Sequence, residues 1–265
     1  MRIRILTITR RLWGDLVLKK LYDKSEIWFA VLWIVLYCVL MSVGDTLSVT
    51  VGIEKSVTFS VGLLLSLLLL GFLTKNRLCD AYGLCKPKAS AKEMLWYLPL
   101  ALMLTVNLWY GVSLTLTAVE TVLYILSMFA VGFLEEVIFR GLLFASLEKD
   151  NLTVAILVSS LTFGMGHLIN LFNGSGAALL PSVLQVVYAT AAGFMFTAIF
   201  IRSRSLIYCI AAHGLFNALS VFANDSALTD GMRIASALFL TALTGGYALY
   251  LFLTAKGKKY EDGQV

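Results

Sequence analysis

Charged side chains are scarce in this sequence. Only 14% of the 265 residues are charged, whereas 59% are hydrophobic. A composition of this kind excludes most large water-soluble proteins and indicates a membrane protein, whose first partner is the lipid bilayer. There is also no block of basic residues with interleaved aromatics, so we expect no nucleic-acid partner.

Cysteines and internal repeats are also few. The four cysteines are Cys38, Cys79, Cys85 and Cys209; because their spacing suits neither a zinc pair nor a disulfide framework, we predict free thiols. The inverted repeat of many transporters is not evident.

The polar, basic segment of residues 1–26 is longer than the leading part of a signal peptide, and we interpret it as a retained cytoplasmic segment.

Long apolar stretches dominate the rest of the chain. A helix that crosses the hydrocarbon core of a bilayer needs about 20 mostly apolar residues. Eight candidate spans meet this condition or come close to it: Ile27–Val43, Val57–Thr74, Tyr97–Leu114, Thr121–Leu147, Leu152–Ile169, Pro181–Ile201, Leu206–Phe222 and Ile234–Thr254. The sequence therefore predicts an all-α, polytopic membrane protein with about eight transmembrane helices, forming one domain over residues 27–254 and followed by a polar tail, residues 255–265.

The basic residues predict how these spans are oriented. Lys55 and Arg233 fall in loops that alternate to the outside, and Arg140 falls within a span. The remaining 18 of the 21 Lys and Arg residues lie in segments that alternate to the inside. Because cytoplasmic loops carry the excess of Lys and Arg, we predict a multi-pass protein of the cell membrane with both termini in the cytoplasm.

The fourth span carries two carboxylates and a guanidinium, in the order Glu135-Glu136-x-x-x-Arg140. A charge at the centre of a bilayer costs roughly 2.5–3.5 kcal/mol on insertion scales, so this cluster indicates a function. Glu136 and Arg140 are four residues apart and share one helix face, where they could form a purely structural ion pair. Glu135 points about 100° away and is free to face another helix.

The only two histidines also lie in predicted spans. His167 ends the run Phe163-Gly-Met-Gly-His167, and His213 precedes Asn217 by one helical turn on the same face. Taken singly, each could be a polar residue that joins two helices. Taken together with the fourth span, they predict a buried polar cavity formed by three helices.

Chemistry suggests what such a cavity could do. Glu135 and a neutral His167 could hold and deprotonate a water molecule, while His213 and Asn217 could donate hydrogen bonds to an oxyanion. Glu135, His167 and His213 could instead bind a zinc ion that carries a water. Two other classes of function remain open: a proton-coupled transporter with an ionisable relay, and a non-catalytic membrane scaffold or immunity protein.

These three motifs, in this order and each in a membrane span, resemble those of the CAAX-protease and bacteriocin-processing family (CPBP, or Abi) of intramembrane proteases. The resemblance covers residues 121–222, the motif-bearing core. It implies an intramembrane endopeptidase, of a metallo- or glutamic type that is left open. The implied substrate is a membrane-associated peptide or lipidated protein.

The resemblance also implies roles by position. Glu135 would activate water together with His167, while His213 and Asn217 would stabilise the oxyanion. Glu136 and Arg140 match the second glutamate and the arginine of the first motif and would support the site. If a divalent metal such as zinc takes part, its ligands would be Glu135, His167 and His213.

Overall fold

Helices account for nearly all of the regular structure in the computed structural model, which describes residues 18–171 and 178–255. No β-strand occurs among these residues; the nearest approach is an isolated bridge between Val112 and Ala223. In chain order the main helices are α1 Leu18–Lys24, α2 Glu26–Val51, α3 Ser56–Lys75, α4 Leu98–Thr105, α5 Ala118–Glu148, α6 Leu152–Gly166, α7 Leu179–Ser203, α8 Ile207–Leu219 and α9 Asp230–Thr254. The predicted all-α class is confirmed.

Six of these helical segments are long and apolar enough to cross a membrane: α2, α3, α5, α6 with the turn that follows it, α7 and α9. Two further apolar segments, Leu95–Leu108 and Ile207–Phe222, are shorter. These eight segments correspond to the eight predicted spans. The protein is an integral, multi-pass membrane protein, in which two of the eight apolar segments are shorter than the other six.

Polar capping residues begin several of the long helices. The side chain of Ser25 accepts a hydrogen bond from the backbone of Trp28 at the start of α2. Thr117 and Glu120 form a reciprocal capping box at the start of α5. Such caps satisfy backbone N–H groups that have no partner within the helix, so they fix where each span begins.

The first span is longer than the sequence predicts, because α2 continues eight residues beyond Val43. By hydropathy the polar residues of this extension suggest a loop, but their side chains form hydrogen bonds within the helix and across the turn that follows it. The hydroxyls of Thr46, Ser48 and Thr50 bond to backbone carbonyls four residues earlier. Asp45 accepts hydrogen bonds of 2.7 Å from Lys55 and from Thr58, both on the far side of the turn to α3.

The third predicted span, Tyr97–Leu114, is the least accurate. Helical structure there is confined to Leu95–Leu108, which spans roughly 20 Å at 1.5 Å per residue. The chain then turns at Gly111, whose φ of 98° is in the left-handed region, and runs on in extended form. Ser113 donates a backbone hydrogen bond to Phe222, so this stretch packs beside the end of the seventh span.

Helix α5 lies at the centre of the bundle. It packs against α3 on one side and α8 on the other. Helix α7 packs against both α6 and α9. The backbones of α5 and α8 meet at Gly132 and Gly214: a Cβ atom on Gly132 would lie 2.7 Å from the backbone nitrogen of Gly214. Only glycine permits an approach this close, and it brings two of the three motif-bearing helices into direct contact.

Predictions for the two ends of the chain fall largely outside the described residues. Within residues 1–26, only α1 and the following turn are described, and Leu18, Leu21 and Tyr22 pack against the apolar core. Nearly all of the predicted tail, residues 256–265, is not described, and the cytoplasmic location of both ends stays a prediction.

All four cysteines are free thiols, and burial raises the pKa of Cys85, which lies in the loop after α3.

Candidate active site

The polar cluster of α5 lies where the geometry of the helix changes. The α-helical hydrogen-bonding pattern runs to Glu136, and the next eight residues, Val137–Phe144, form a π-helix. All eight are buried, as are Glu135 and Glu136. Wide π-turns are rare and occur often at functional sites. The sequence contains no signal that predicts this change.

Glu136 and Arg140 form an ion pair on the helix face that their spacing predicts. Nη1 of Arg140 donates to Oε1 of Glu136 at 3.0 Å, and neither side chain is exposed to solvent. Glu136 is not paired with Arg140 alone, however. Nδ1 of His213 lies 2.8 Å from the same oxygen, so the pair extends from α5 to α8.

The His213 ring bridges the two carboxylates. Because a carboxylate oxygen accepts hydrogen bonds, Nδ1 of His213 donates to Glu136. The other ring nitrogen, Nε2, lies 3.4 Å from Oε2 of Glu135. This distance exceeds the usual 2.7–3.2 Å of a hydrogen bond, and Oε2 of Glu135 has no hydrogen-bond partner among the described residues.

The second oxygen of Glu135 is held by a residue outside the three motifs. The hydroxyl of Tyr37, in α2, donates a hydrogen bond to Oε1 of Glu135. Glu135 thus turns away from Arg140, as helical geometry predicts, and faces Tyr37 and His213. Sequence reasoning missed Tyr37, because a single tyrosine in an apolar span resembles ordinary packing.

Two phenylalanine rings surround the charged groups. Phe163 lies below the guanidinium of Arg140, 4.0 Å from its central carbon, and contacts the rings of His167 and His213 edge-on. Phe196 stacks on His213 with ring centres 5.5 Å apart. The aromatic residue of the second motif therefore contacts the cation and both imidazoles. Phe196 is a further residue that the motifs did not indicate.

Two cavities adjoin these side chains. The first, the Glu135 cavity, offers about 120 Å³ to water-sized molecules and is lined by Tyr37, Glu135, Phe163 and His167 among others. The second, the Asn217 cavity, offers about 50 Å³ and is lined by Phe163, His167, His213 and Asn217 together with apolar side chains. Since one water needs about 10–15 Å³ of such volume, both have room for water.

The four residues to which the sequence assigns chemistry thus lie around two adjoining cavities rather than one. Glu135 shares the first cavity with His167. His213 and Asn217 share the second with His167 and the apolar side chains. Phe163 and His167 are common to both cavities and form the wall between them.

The ligand geometry of a zinc site can be tested on the same side chains. Glu135, His167 and His213 are all described, and within residues 18–171 and 178–255 no group of three His, Cys, Asp or Glu side chains is arranged to hold a metal ion. A structural zinc site needs four ligands and a catalytic site commonly has three. The arrangement does not fit a zinc ion, so no chemical step is assigned to one below.

Comparison with known proteins agrees with the motif order. Residues 116–219, about two fifths of the chain, match the family described as Type II CAAX prenyl endopeptidase Rce1-like. No curated protein and no solved structure matches the chain significantly. The matched segment contains all three motifs, from Glu135 to Asn217. The match confirms the resemblance to the CAAX-protease family that these motifs predicted, over this part of the chain.

Proposed function

We propose that this protein is an intramembrane endopeptidase that hydrolyses a peptide bond of a membrane-associated protein with a water molecule activated by Glu135. The observation that carries the proposal is Oε2 of Glu135, a buried carboxylate oxygen without a hydrogen-bond partner among the described residues. Leaving such an atom without a partner costs about 1–3 kcal/mol or more. A water molecule that reached this oxygen from the Glu135 cavity would remove that cost.

The proposed reaction begins with proton transfer. Glu135 takes a proton from the water, and the water oxygen attacks the carbonyl carbon of the substrate. His167, on the wall common to both cavities, holds the water in line with that carbonyl. As the C–N bond breaks, Glu135 returns the proton to the leaving amine, so that it acts first as base and then as acid.

The negative charge that develops on the carbonyl oxygen needs donors. We assign this role to His213 and Asn217, which line the neighbouring cavity. Glu136 and Arg140 support the site by holding His213, because Glu136 accepts from both. Fixed donors of this kind in a site without bulk water stabilise an oxyanion far more than they would in solution.

The proposed substrate follows from the family and from the surroundings of the site. Proteins described as CAAX prenyl endopeptidases act on prenylated tails, and the mostly apolar lining of the Asn217 cavity is compatible with a lipidated or apolar peptide segment. We place the substrate at the cell membrane and both termini of the enzyme in the cytoplasm. The family match does not favour the transporter or the scaffold.

The central test replaces Glu135 by glutamine. The purified protein, reconstituted in liposomes, is given a library of fluorogenic peptides with and without a C-terminal isoprenoid. We expect kcat to fall about 10²- to 10⁴-fold, since general acid–base catalysis contributes that much. Glu93→Gln, an exposed carboxylate in the loop after α3, is the matched control and should keep wild-type activity. Wild-type rates in Glu135→Gln would contradict the proposal.

A second test addresses metal dependence. Because the described carboxylate and imidazole groups do not form a three-ligand set, we expect cleavage to continue after dialysis against a zinc chelator. The measurement compares rates before dialysis, after dialysis and after zinc is added back. Loss of activity on dialysis and its return with zinc would show that metal takes part and that Glu135, His167 and His213 rearrange to bind it.

A further inference from the structure

We infer that Tyr37 is a positioning residue for Glu135, supplied by the first span. This inference rests on the proposed function and deepens it, because it adds a residue outside the three motifs to the same site. Tyr37 holds one oxygen of the carboxylate so that the other faces His213 and the space where water binds.

The contact is direct and joins distant parts of the chain. The Tyr37 hydroxyl donates to Oε1 of Glu135 across 98 positions in sequence. The Tyr37 side chain is half-buried in α2, which packs against the π-helical section of α5 just after Glu135. It also lines the Glu135 cavity, so the hydroxyl lies at the cavity wall and not in a separate layer of packing.

The hydrogen bond makes the two carboxylate oxygens unequal. Oε1 has a donor, whereas Oε2 lies 3.4 Å from His213 and lacks a hydrogen-bond partner among the described residues. A carboxylate held at one oxygen cannot rotate freely about its terminal bond, and so Oε2 stays directed at the reacting water. A base misplaced by about 1 Å can lower the rate roughly 100-fold. A donor that fixes the orientation of Glu135 is therefore expected to increase the rate.

A structural role for Tyr37 has to be separated from positioning, since its ring also packs against the apolar core. Tyr37→Phe keeps the ring and removes only the hydroxyl. The matched control is Tyr247→Phe: the Tyr247 hydroxyl is buried in α9 and donates to the backbone oxygen of Met94 at 2.7 Å. Both variants lose one hydroxyl that makes a hydrogen bond, but only Tyr37 contacts the proposed base.

Two readouts are measured on the full-length protein in liposomes. The first is cleavage: we expect Tyr37→Phe to lower kcat about 10- to 100-fold, as for the loss of a hydrogen bond to a charged group, with KM unchanged. The second does not need activity. A hydrophobic carbodiimide adds to a buried carboxyl and leaves an N-acylurea, and mass spectrometry gives the rate at which Glu135 acquires it.

We expect Glu135 to be labelled faster in Tyr37→Phe than in the wild type, because the carboxylate has then lost the hydrogen-bond donor that lowers its reactivity and fixes its orientation. Tyr247→Phe should be labelled at the wild-type rate, and Glu135→Gln should lose the adduct at this position. Wild-type kcat together with a wild-type labelling rate in Tyr37→Phe would overturn the inference. An equal fall in kcat in both tyrosine variants, with unchanged labelling, would overturn it too.

The two proposals fail in different ways. If no variant cleaves any peptide, yet Tyr37→Phe accelerates the labelling of Glu135, the positioning contact stands and the protease proposal falls. If Glu135→Gln abolishes cleavage while Tyr37→Phe changes neither readout, the protease stands and the role of Tyr37 falls.

Discussion

Replacing Arg140 by methionine is expected to lower the free energy of unfolding by about 3–5 kcal/mol, roughly 10²- to 10⁴-fold in the folding equilibrium. Arg140 is fully buried, and its Nη1 pairs with Glu136 at 3.0 Å. Methionine fills much of the same space against Phe163 and Phe196 but leaves the Glu136 carboxylate without its cation. The measurement is equilibrium unfolding in mixed micelles, followed by far-ultraviolet circular dichroism.

A second substitution separates charge from packing. In the double variant Arg140→Met with Glu136→Gln, the uncompensated buried charge is gone, and we expect most of the lost stability to return. Cleavage should stay low in this variant, because His213 no longer contacts a carboxylate at Nδ1. Equal stability of the wild type and the single variant would mean that the pair contributes nothing to folding.

Replacing Gly132 by alanine is expected to disrupt the contact between α5 and α8 and with it the site. A Cβ atom there would lie 2.7–2.8 Å from the backbone of Gly214, with no flexible side chain that can move aside. Overpacking of this kind costs about 1–3 kcal/mol, and it also pushes Glu136 away from His213. We therefore expect both a less stable protein and loss of cleavage.

The matched control for this substitution is Gly71→Ala in α3, where a Cβ atom would meet nothing within 4 Å. Alanine is the better helix former by about 0.5–1 kcal/mol, so this variant should be at least as stable as the wild type and fully active. Thermal unfolding and peptide cleavage of the two variants, measured side by side, provide the comparison. Similar behaviour of both would show that the close approach at Gly132 is not required.

Local sequence patterns predicted the parts of this site that lie within one helix. The four-residue spacing of Glu136 and Arg140 predicted their shared face, and the 100° rotation between neighbours predicted that Glu135 turns elsewhere. Apolar stretches likewise predicted most of the spans. Each of these inferences uses residues that are close in sequence, where helical geometry alone determines their relative positions.

Contacts between helices were not predictable in the same way. Nothing in the sequence near Tyr37 indicates that its hydroxyl meets Glu135, and no spacing indicates that His213 lies between two carboxylates. These contacts depend on how α2, α5 and α8 pack, which is set partly by the approach of Gly132 to Gly214.

Hydropathy also gave two wrong helix lengths, in opposite directions. It ended the first span at Val43, because it counts hydroxyl groups as polar although Thr46 and Ser48 satisfy theirs on their own helix. It extended the third span to Leu114, because it gives no weight to the chain reversal at Gly111. In both cases backbone hydrogen bonding, and not apolar content, decides where the helix ends.

The shared wall of Phe163 and His167 has a consequence for how the proposed reaction is supplied. In that reaction, water would enter from the cavity beside Glu135, while the peptide would approach from the more apolar cavity next to Asn217. Water and peptide then need not compete for one entrance, and an apolar substrate could bind without displacing the water beside Glu135. An enzyme surrounded by lipid could in this way keep water bound beside Glu135 while the peptide is held for cleavage.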